Sequence, residues 1–167
     1  MTNLLAVGEV ASTAGNPSQG AIWQCNPSGC NRRVIIPGKE VPQITAMIGT
    51  SPNNLWIMGP EGTGEKFIGR CNETSCREVT HDASTDSILR AIWAINEDLV
   101  YVVGQRNLFL RCSGNTCTRM TPGNWDLTGI GGLTKSHYFI TGFGGYLREC
   151  YRVGDVDHCT DLKIFTR

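Results

Sequence analysis

The chain has 167 residues, enough for one domain with a real core, and its 15 basic and 15 acidic side chains cancel. That balance leaves no basic stripe for nucleic acid and no acidic block for a disordered tail. Charged residues make up only 18%, while 20 glycines and 7 prolines punctuate the sequence, a composition that suits many short elements joined by turns.

No run of about 18 apolar residues occurs, so no membrane span is expected. The opening residues, MTNLLAVGEV, lack a basic stretch followed by a long apolar one and do not read as a signal peptide. Eight cysteines in a chain of this size nevertheless point to an oxidising compartment: secreted, cell-surface or periplasmic. The two readings agree only if a targeting segment has been removed or belongs to a longer chain.

Taken in chain order, the predicted elements recur. LLAVG ends at Gly8, a long turn follows, and AIWQC leads into the pair Cys25 and Cys30. A second unit runs ITAMIGT, then LWIMG ending at Gly59, the turn PEGTGE, and KFIGRC into Cys71 and Cys76. The third runs LRAIWAI, LVYVVG ending at Gly104, LFLRC reaching Cys112, and CTRMT from Cys117. The fourth runs LTGIGGLT, YFITG ending at Gly142, GYLREC reaching Cys150, and a return from Cys159. The first cysteines lie 46, 41 and 38 residues apart; three pairs are C-x4-C and the last is C-x8-C.

Each full unit reads as four short strands with polar or glycine-bearing turns, and no segment carries a helical period. Tandem four-stranded units of about 40 residues predict an all-β fold of β-propeller-type antiparallel blades. The expected units span about 1–40, 41–84, 85–123 and 124–167, within a single propeller or partial propeller over 1–167. Unit one starts at its second strand, which gives fifteen strands. The tail DLKIFTR either completes the first blade or extends the last strand of unit four. Four blades close as a small ring or make half of a larger one. An open array leaves strand edges that invite a second chain.

The stretch LRAIWAINEDLVYVVGQRNLFLRCSGNTC resembles the cysteine-containing, W-A-V-G-type repeats of secreted bacterial β-propeller proteins. Their wider relatives are sialidase-like and photosystem-assembly-factor-like propellers. The resemblance covers nearly the whole chain and implies a fold rather than an activity. The S-x-D-x-G-x-x-W box of sialidases is absent, as is the Gly-His…Trp-Asp pair of WD40 repeats.

A four-residue loop between third and fourth strands places both cysteines of a pair at the base of a hairpin. Opposed residues there have Cα atoms about 4.5 Å apart, within disulfide range. The expected bridges are Cys25–Cys30, Cys71–Cys76, Cys112–Cys117 and Cys150–Cys159. Zinc is the rival, since its structural sites accept this spacing, but two pairs on diverging blades would have to meet at one ion. Free thiols are the third reading. No C-x-x-C redox motif occurs.

Other residues have plainer roles open to them. His81, His137 and His158 fall in different units without metal or catalytic spacing, and read as surface or turn residues. GPEGTG at 59–64 reads as a hairpin turn rather than a phosphate cradle. Asp155 and Asp157, two apart in the enlarged last loop, form a calcium candidate; a solvated turn is the alternative. Trp56 and Trp93 sit in strand-like runs and are expected between blades. Asn124, Trp125 and Asp126 lie in the link between units three and four, where sugar stacking and hydrogen bonding suit them as a ligand-binding candidate; a packed turn suits them equally. Asn72-Glu73-Thr74 fits an N-glycosylation acceptor at a hairpin tip.

No cofactor is expected. The function expected is a non-catalytic, secreted or cell-surface module that presents loops to a protein or glycan and self-associates through open blade edges. The alternative is a propeller lectin or a glycosidase- or lyase-type enzyme fragment. For the enzyme, residues such as Arg90, Asp98, Arg148 and Glu149 are available but nothing in their spacing selects them.

Overall fold

The computed structural model describes residues 4–10, 19–35, 43–51, 53–60, 66–72, 75–82, 87–120 and 124–163. Among these, sixteen strands and a single 3-10 turn at Phe143–Gly145 account for every regular element. The strands form four sheets. Two compact units divide the chain, Met1–Thr80 and His81–Arg167.

In the first unit, β1 (Leu4–Val10), β2 (Gln19–Asn26) and β3 (Gly29–Ile35) make a three-stranded sheet in chain order. A four-stranded sheet follows, of β4 (Ala46–Ser51), β5 (Asn54–Pro60), β6 (Lys66–Cys71) and β7 (Cys76–Glu78). The next sheet holds β9 (Leu89–Ala94), β10 (Leu99–Gly104), β11 (Leu108–Ser113) and β12 (Thr116–Met120). The last holds β13 (Leu127–Thr134), β14 (His137–Gly142), β15 (Tyr146–Val153) and β16 (Val156–Lys163). Neighbouring strands within these sheets pair antiparallel, so each sheet is an up-and-down blade. The fold is all-β and of β-propeller type, built from disulfide-closed blades.

One detail departs from the fifteen expected strands. Unit two's last strand is cut short at Glu78, and the two-residue strand β8 (Thr80–His81) joins the next sheet at its outer edge, in the order β8-β12-β11-β10-β9. Val79, between β7 and β8, is fully buried and its N–H donates to the Ile68 carbonyl at 2.8 Å, so the chain is pinned there before it changes sheets. At the other end, Asp161, Leu162 and Lys163 continue β16 opposite Arg148, Leu147 and Tyr146. That part of the tail extends the last strand; residues 164–167 lie outside the described residues.

The second strands explain the apolar runs. β5 is buried from Asn54 to Gly59 and β10 along its whole length, so both faces are covered and no polar alternation is needed. Blade-to-blade packing follows the same positions in each unit. In the first, Leu5 and Val7 of β1 pack on the cluster that contains Leu55 and Ile57 of β5. In the second, Tyr101 and Val103 of β10 share a cluster with Tyr138 and Ile140 of β14.

The glycine that ends each second strand has a steric reason in the last three units. A Cβ would stand 2.0 Å from the Gln43 carbonyl oxygen at Gly59, 2.1 Å from that of Ile88 at Gly104 and 2.7 Å from that of Asp126 at Gly142. In units three and four the following residue, Gln105 or Phe143, donates its N–H to that same carbonyl at 2.9 Å. In these two units the segment leading into the first strand is thus hydrogen-bonded across a position where no side chain fits.

Candidate functional site

Disulfides close the hairpin between the third and fourth strands of every blade: Cys25–Cys30, Cys71–Cys76, Cys112–Cys117 and Cys150–Cys159. The paired Cα atoms lie 3.9 to 4.1 Å apart, because each pair occupies directly opposed positions in the ladder. No cysteine is left free to serve as a metal ligand or nucleophile.

The link between the third and fourth blades builds an aromatic and polar cluster. Trp125 is 45% exposed and stacks on Tyr146, with ring centroids 4.8 Å apart and planes 19° from parallel. Phe143, 56% exposed, stands nearby in sequence and donates its N–H to the Asp126 carbonyl. The Asp126 carboxylate accepts the N–H of Arg106 at 2.5 Å. Arg106 and its neighbour Asn107 both adopt the left-handed backbone region, with φ of 55° and 58°. This tight turn between β10 and β11 is tied down further by Arg119, whose Nη2 donates to the Arg106 carbonyl at 3.0 Å.

Behind Trp125, the Tyr146 hydroxyl donates to Asp161 Oδ1 at 3.1 Å, and Arg148 Nε donates to the same oxygen at 2.5 Å. Burial pushes the Tyr146 phenol up to about 12, so it remains a donor through neutral pH. The Arg148 hydrogen bond holds the Asp161 carboxyl below the usual carboxylate range. An aromatic shelf with a fixed guanidinium and carboxylate beneath it is chemically suited to a sugar ring, which stacks through its C–H face and takes hydrogen bonds at its rim. Asn124, next to Trp125 in sequence, is exposed. Tyr146, Asp161, Phe143 and the Arg106–Asn107 turn were not singled out by the sequence, since only the fold brings them to Trp125.

Asp155 and Asp157 meet an arginine. Arg152 Nη2 donates to Asp155 Oδ1 at 2.9 Å, and its Nη1 to Asp157 Oδ2 at 3.1 Å. The same Nη1 donates to the Tyr101 hydroxyl at 2.8 Å, and that hydroxyl donates in turn to Asp157. The Arg152 and Asp157 side chains are 7% and 9% exposed, Asp155 93%. Burial, reinforced by Asp157, raises Tyr101 to about 12. No group of three or more metal-ligating side chains occurs among the described residues.

The outward face of the last blade carries a second cluster. His137 Nε2 donates to Glu149 Oε1 at 2.8 Å, and the Tyr151 hydroxyl donates to the same oxygen at 2.6 Å. His137 also stacks on Tyr151 at 4.2 Å. These two hydrogen bonds, Tyr151's first, hold Glu149 below its ordinary value. Ladder pairing puts Phe139, Glu149, His137, Tyr151, Val153 and Val156 on one face. Tyr151, Val153 and Val156 are 47%, 67% and 57% exposed. Of the remaining tryptophans, Trp56 is buried, and Trp23 and Trp93 are half-buried.

No family model matches the chain. No curated protein matches it either. Among solved structures it is similar to YCF48 from Cyanidioschyzon merolae, with a TM-score of 0.56 and 11% identity over 85% of this chain and 49% of that one. The chain therefore spans about half the length of the YCF48 chain it matches. At that identity the likeness is one of fold: a β-propeller-type arrangement of blades.

Proposed function

We propose that this chain is a non-catalytic binding and assembly module, secreted or displayed at a cell surface, whose four blades hold a protein or glycan and associate with further copies of the chain. The disulfides fit an oxidising, extracellular setting. No described helix is long and apolar enough to cross a membrane. The likeness to YCF48 supports a propeller-type scaffold for such a role.

The observation that carries the assembly reading is the exposed face of the last blade. By repeat position, Phe139 and Thr141 of β14 correspond to Tyr101 and Val103 of β10 and to Leu5 and Val7 of β1. Those positions pack on the next blade within each unit. In β14 they face outward beside Tyr151, Val153 and Val156. A surface shaped to receive a blade is thus presented to solvent, and a blade of a second copy has the matching apolar pattern. The sheet that ends on β1 among the described residues adds a strand edge of the kind that pairs with another chain.

Light-scattering mass measured over a range of concentrations tests this. The wild type is expected to gain mass with concentration, and the double variant Val153→Lys with Val156→Lys to remain monomeric with an unchanged melting temperature. A wild-type mass that stays monomeric at every concentration removes the assembly reading. The exposed Trp125 stacked on Tyr146 favours a second reading, a propeller lectin, in which Trp125→Ala abolishes glycan retention. Turnover of chromogenic glycosides by the same protein would replace the non-catalytic reading.

A further inference from the structure

Each blade has two faces, and residues paired across a ladder share one. The forward face holds the residues one and three places before the closing glycine; the rear face holds those two and four places before it. In the first unit, Leu5 and Val7 on the forward face of the first blade pack with Leu55 and Ile57 on the rear face of the second. In the second unit, Tyr101 and Val103 on the forward face of the third blade pack with Tyr138 and Ile140 on the rear face of the fourth. Both contacts have the same polarity, forward on rear. Phe139 and Thr141, on the fourth blade's forward face, lie outside that cluster. On the first blade's rear face, Ala6 and its ladder partner Trp23 lie outside the first unit's cluster, and both are half-buried.

The first strands of the blades differ in what they offer on the forward face. β4 carries Ala46 and Ile48 there, and β9 carries Ala91 and Trp93. Ala91 and Trp93 pack into the cluster that holds Leu127 of β13, with Ile130 beside it. At the corresponding positions β13 carries Gly129 and Gly131, and nothing lies within 4 Å of a Cβ at Gly131. A first strand stripped of side chains suits a neighbour that has no first strand to pack on it. The first blade is such a neighbour, since its sheet starts at β1 among the described residues. Its bulk sits one strand further along, at Trp23 of β2, where the equivalent ladder positions hold Gly69, Leu110 and Arg148. The Trp23 ring lies against Gly8, whose Cβ would stand 3.3 Å from it. The two faces also carry charges of opposite sign: Glu149, the ladder partner of Phe139, on one, and the exposed Arg32, the ladder partner of Trp23, on the other.

We infer that copies of this chain join head to tail, the forward face of the last blade receiving the rear face of the first blade of a second copy. This rests on the assembly reading above and names the partner surface. The contact repeats the forward-on-rear polarity found inside each unit, instead of setting two last blades against each other. Such a contact is heterologous: every copy has one receiving face and one inserting face, and blocking either stops growth at that point.

Mixing two variants, each blocked on one face, tests it by light scattering. Val153→Lys with Val156→Lys blocks the last blade, and Ala6→Lys blocks the first. Each alone is expected to be monomeric at concentrations where the wild type associates. An equimolar mixture is expected to have the mass of two copies and no more, because one open face of each kind remains. Arg32→Glu, at an exposed position, is the second first-blade variant in case Ala6→Lys disturbs its sheet; it is expected to weaken wild-type association about tenfold by setting like charges together. Melting curves and peptide mapping of the four bridges check that the variants fold. First-blade variants that fold and associate as the wild type does, or a mixture that stays monomeric, overturn the head-to-tail contact while self-association stands. A wild type that is monomeric at every concentration removes both.

Discussion

At Gly104 a single hydrogen separates the end of a buried strand from the Ile88 carbonyl, and an added methyl would meet that oxygen at 2.1 Å. The oxygen cannot retreat without breaking the hydrogen bond it accepts from the Gln105 N–H. Gly104→Ala is therefore expected to destabilise the protein by about 1–3 kcal/mol, the usual cost of overpacking a well-fitted interior. Gly131→Ala is the control, since nothing lies within 4 Å of a Cβ there. Its expected effect is within about 0.5 kcal/mol, as for an ordinary surface change. Equilibrium urea unfolding of the two variants measures the difference, and equal midpoints would contradict the steric account. The same reasoning explains why an apolar run ending in glycine was visible in the sequence. The glycine marks a close backbone approach, and steric exclusion acts on residue type directly.

The β15–β16 hairpin shows how one element depends on a residue in another blade. It runs past its disulfide through the pairs Tyr151–His158, Arg152–Asp157 and Val153–Val156. Arg152 is buried there, balanced by Asp157 and by Tyr101 of β10. Removing Asp157 takes from the buried Arg152 its one buried carboxylate partner and from the Tyr101 hydroxyl its acceptor, so Asp157→Ala is expected to cost about 3–5 kcal/mol. Asp155→Ala removes only a solvent-exposed partner and is expected to cost under about 1 kcal/mol. Denaturant unfolding of both variants checks the contrast, and comparable losses would show that the network is not what holds the hairpin. Sequence spacing alone leaves two alternate aspartates in a loop as either a calcium candidate or a solvated turn. The arginine that engages them is three residues from one, but its burial and its link to Tyr101 arise only when the third and fourth blades pack. Strands and hairpin bridges were legible because they are local: the paired cysteines are 5 or 9 residues apart. The aromatic shelf under Trp125 was half legible, since the tryptophan stood out while Tyr146 and Asp161 come from other strands.

For the whole molecule, the bridges are a large share of stability. A loop of about six residues contributes about 2 kcal/mol by the chain-entropy argument, and the longer last loop slightly more. Four such loops approach the roughly 5–15 kcal/mol that separates folded from unfolded in typical proteins. Reduction with a phosphine is therefore expected to lower the unfolding free energy by about 6–9 kcal/mol, enough to leave much of the reduced protein unfolded at room temperature. Parallel denaturation curves with and without reductant measure it. A loss below about 2 kcal/mol would mean that blade packing alone carries the fold.

By itself, the sequence determined the repeat, the strand-rich blades, the positions of the cysteine pairs and the glycine ends of the second strands. Each of these follows from period, local spacing or steric exclusion, which act over a few residues. Only the tertiary structure decided that β8 joins the sheet of β12, that Asp155 and Asp157 serve Arg152, and that Tyr101 and Val103 are packed between blades while their counterparts Phe139 and Thr141 face outward. Those outcomes depend on ladder register and on which faces meet, and register is settled by burial across strands that no local pattern records.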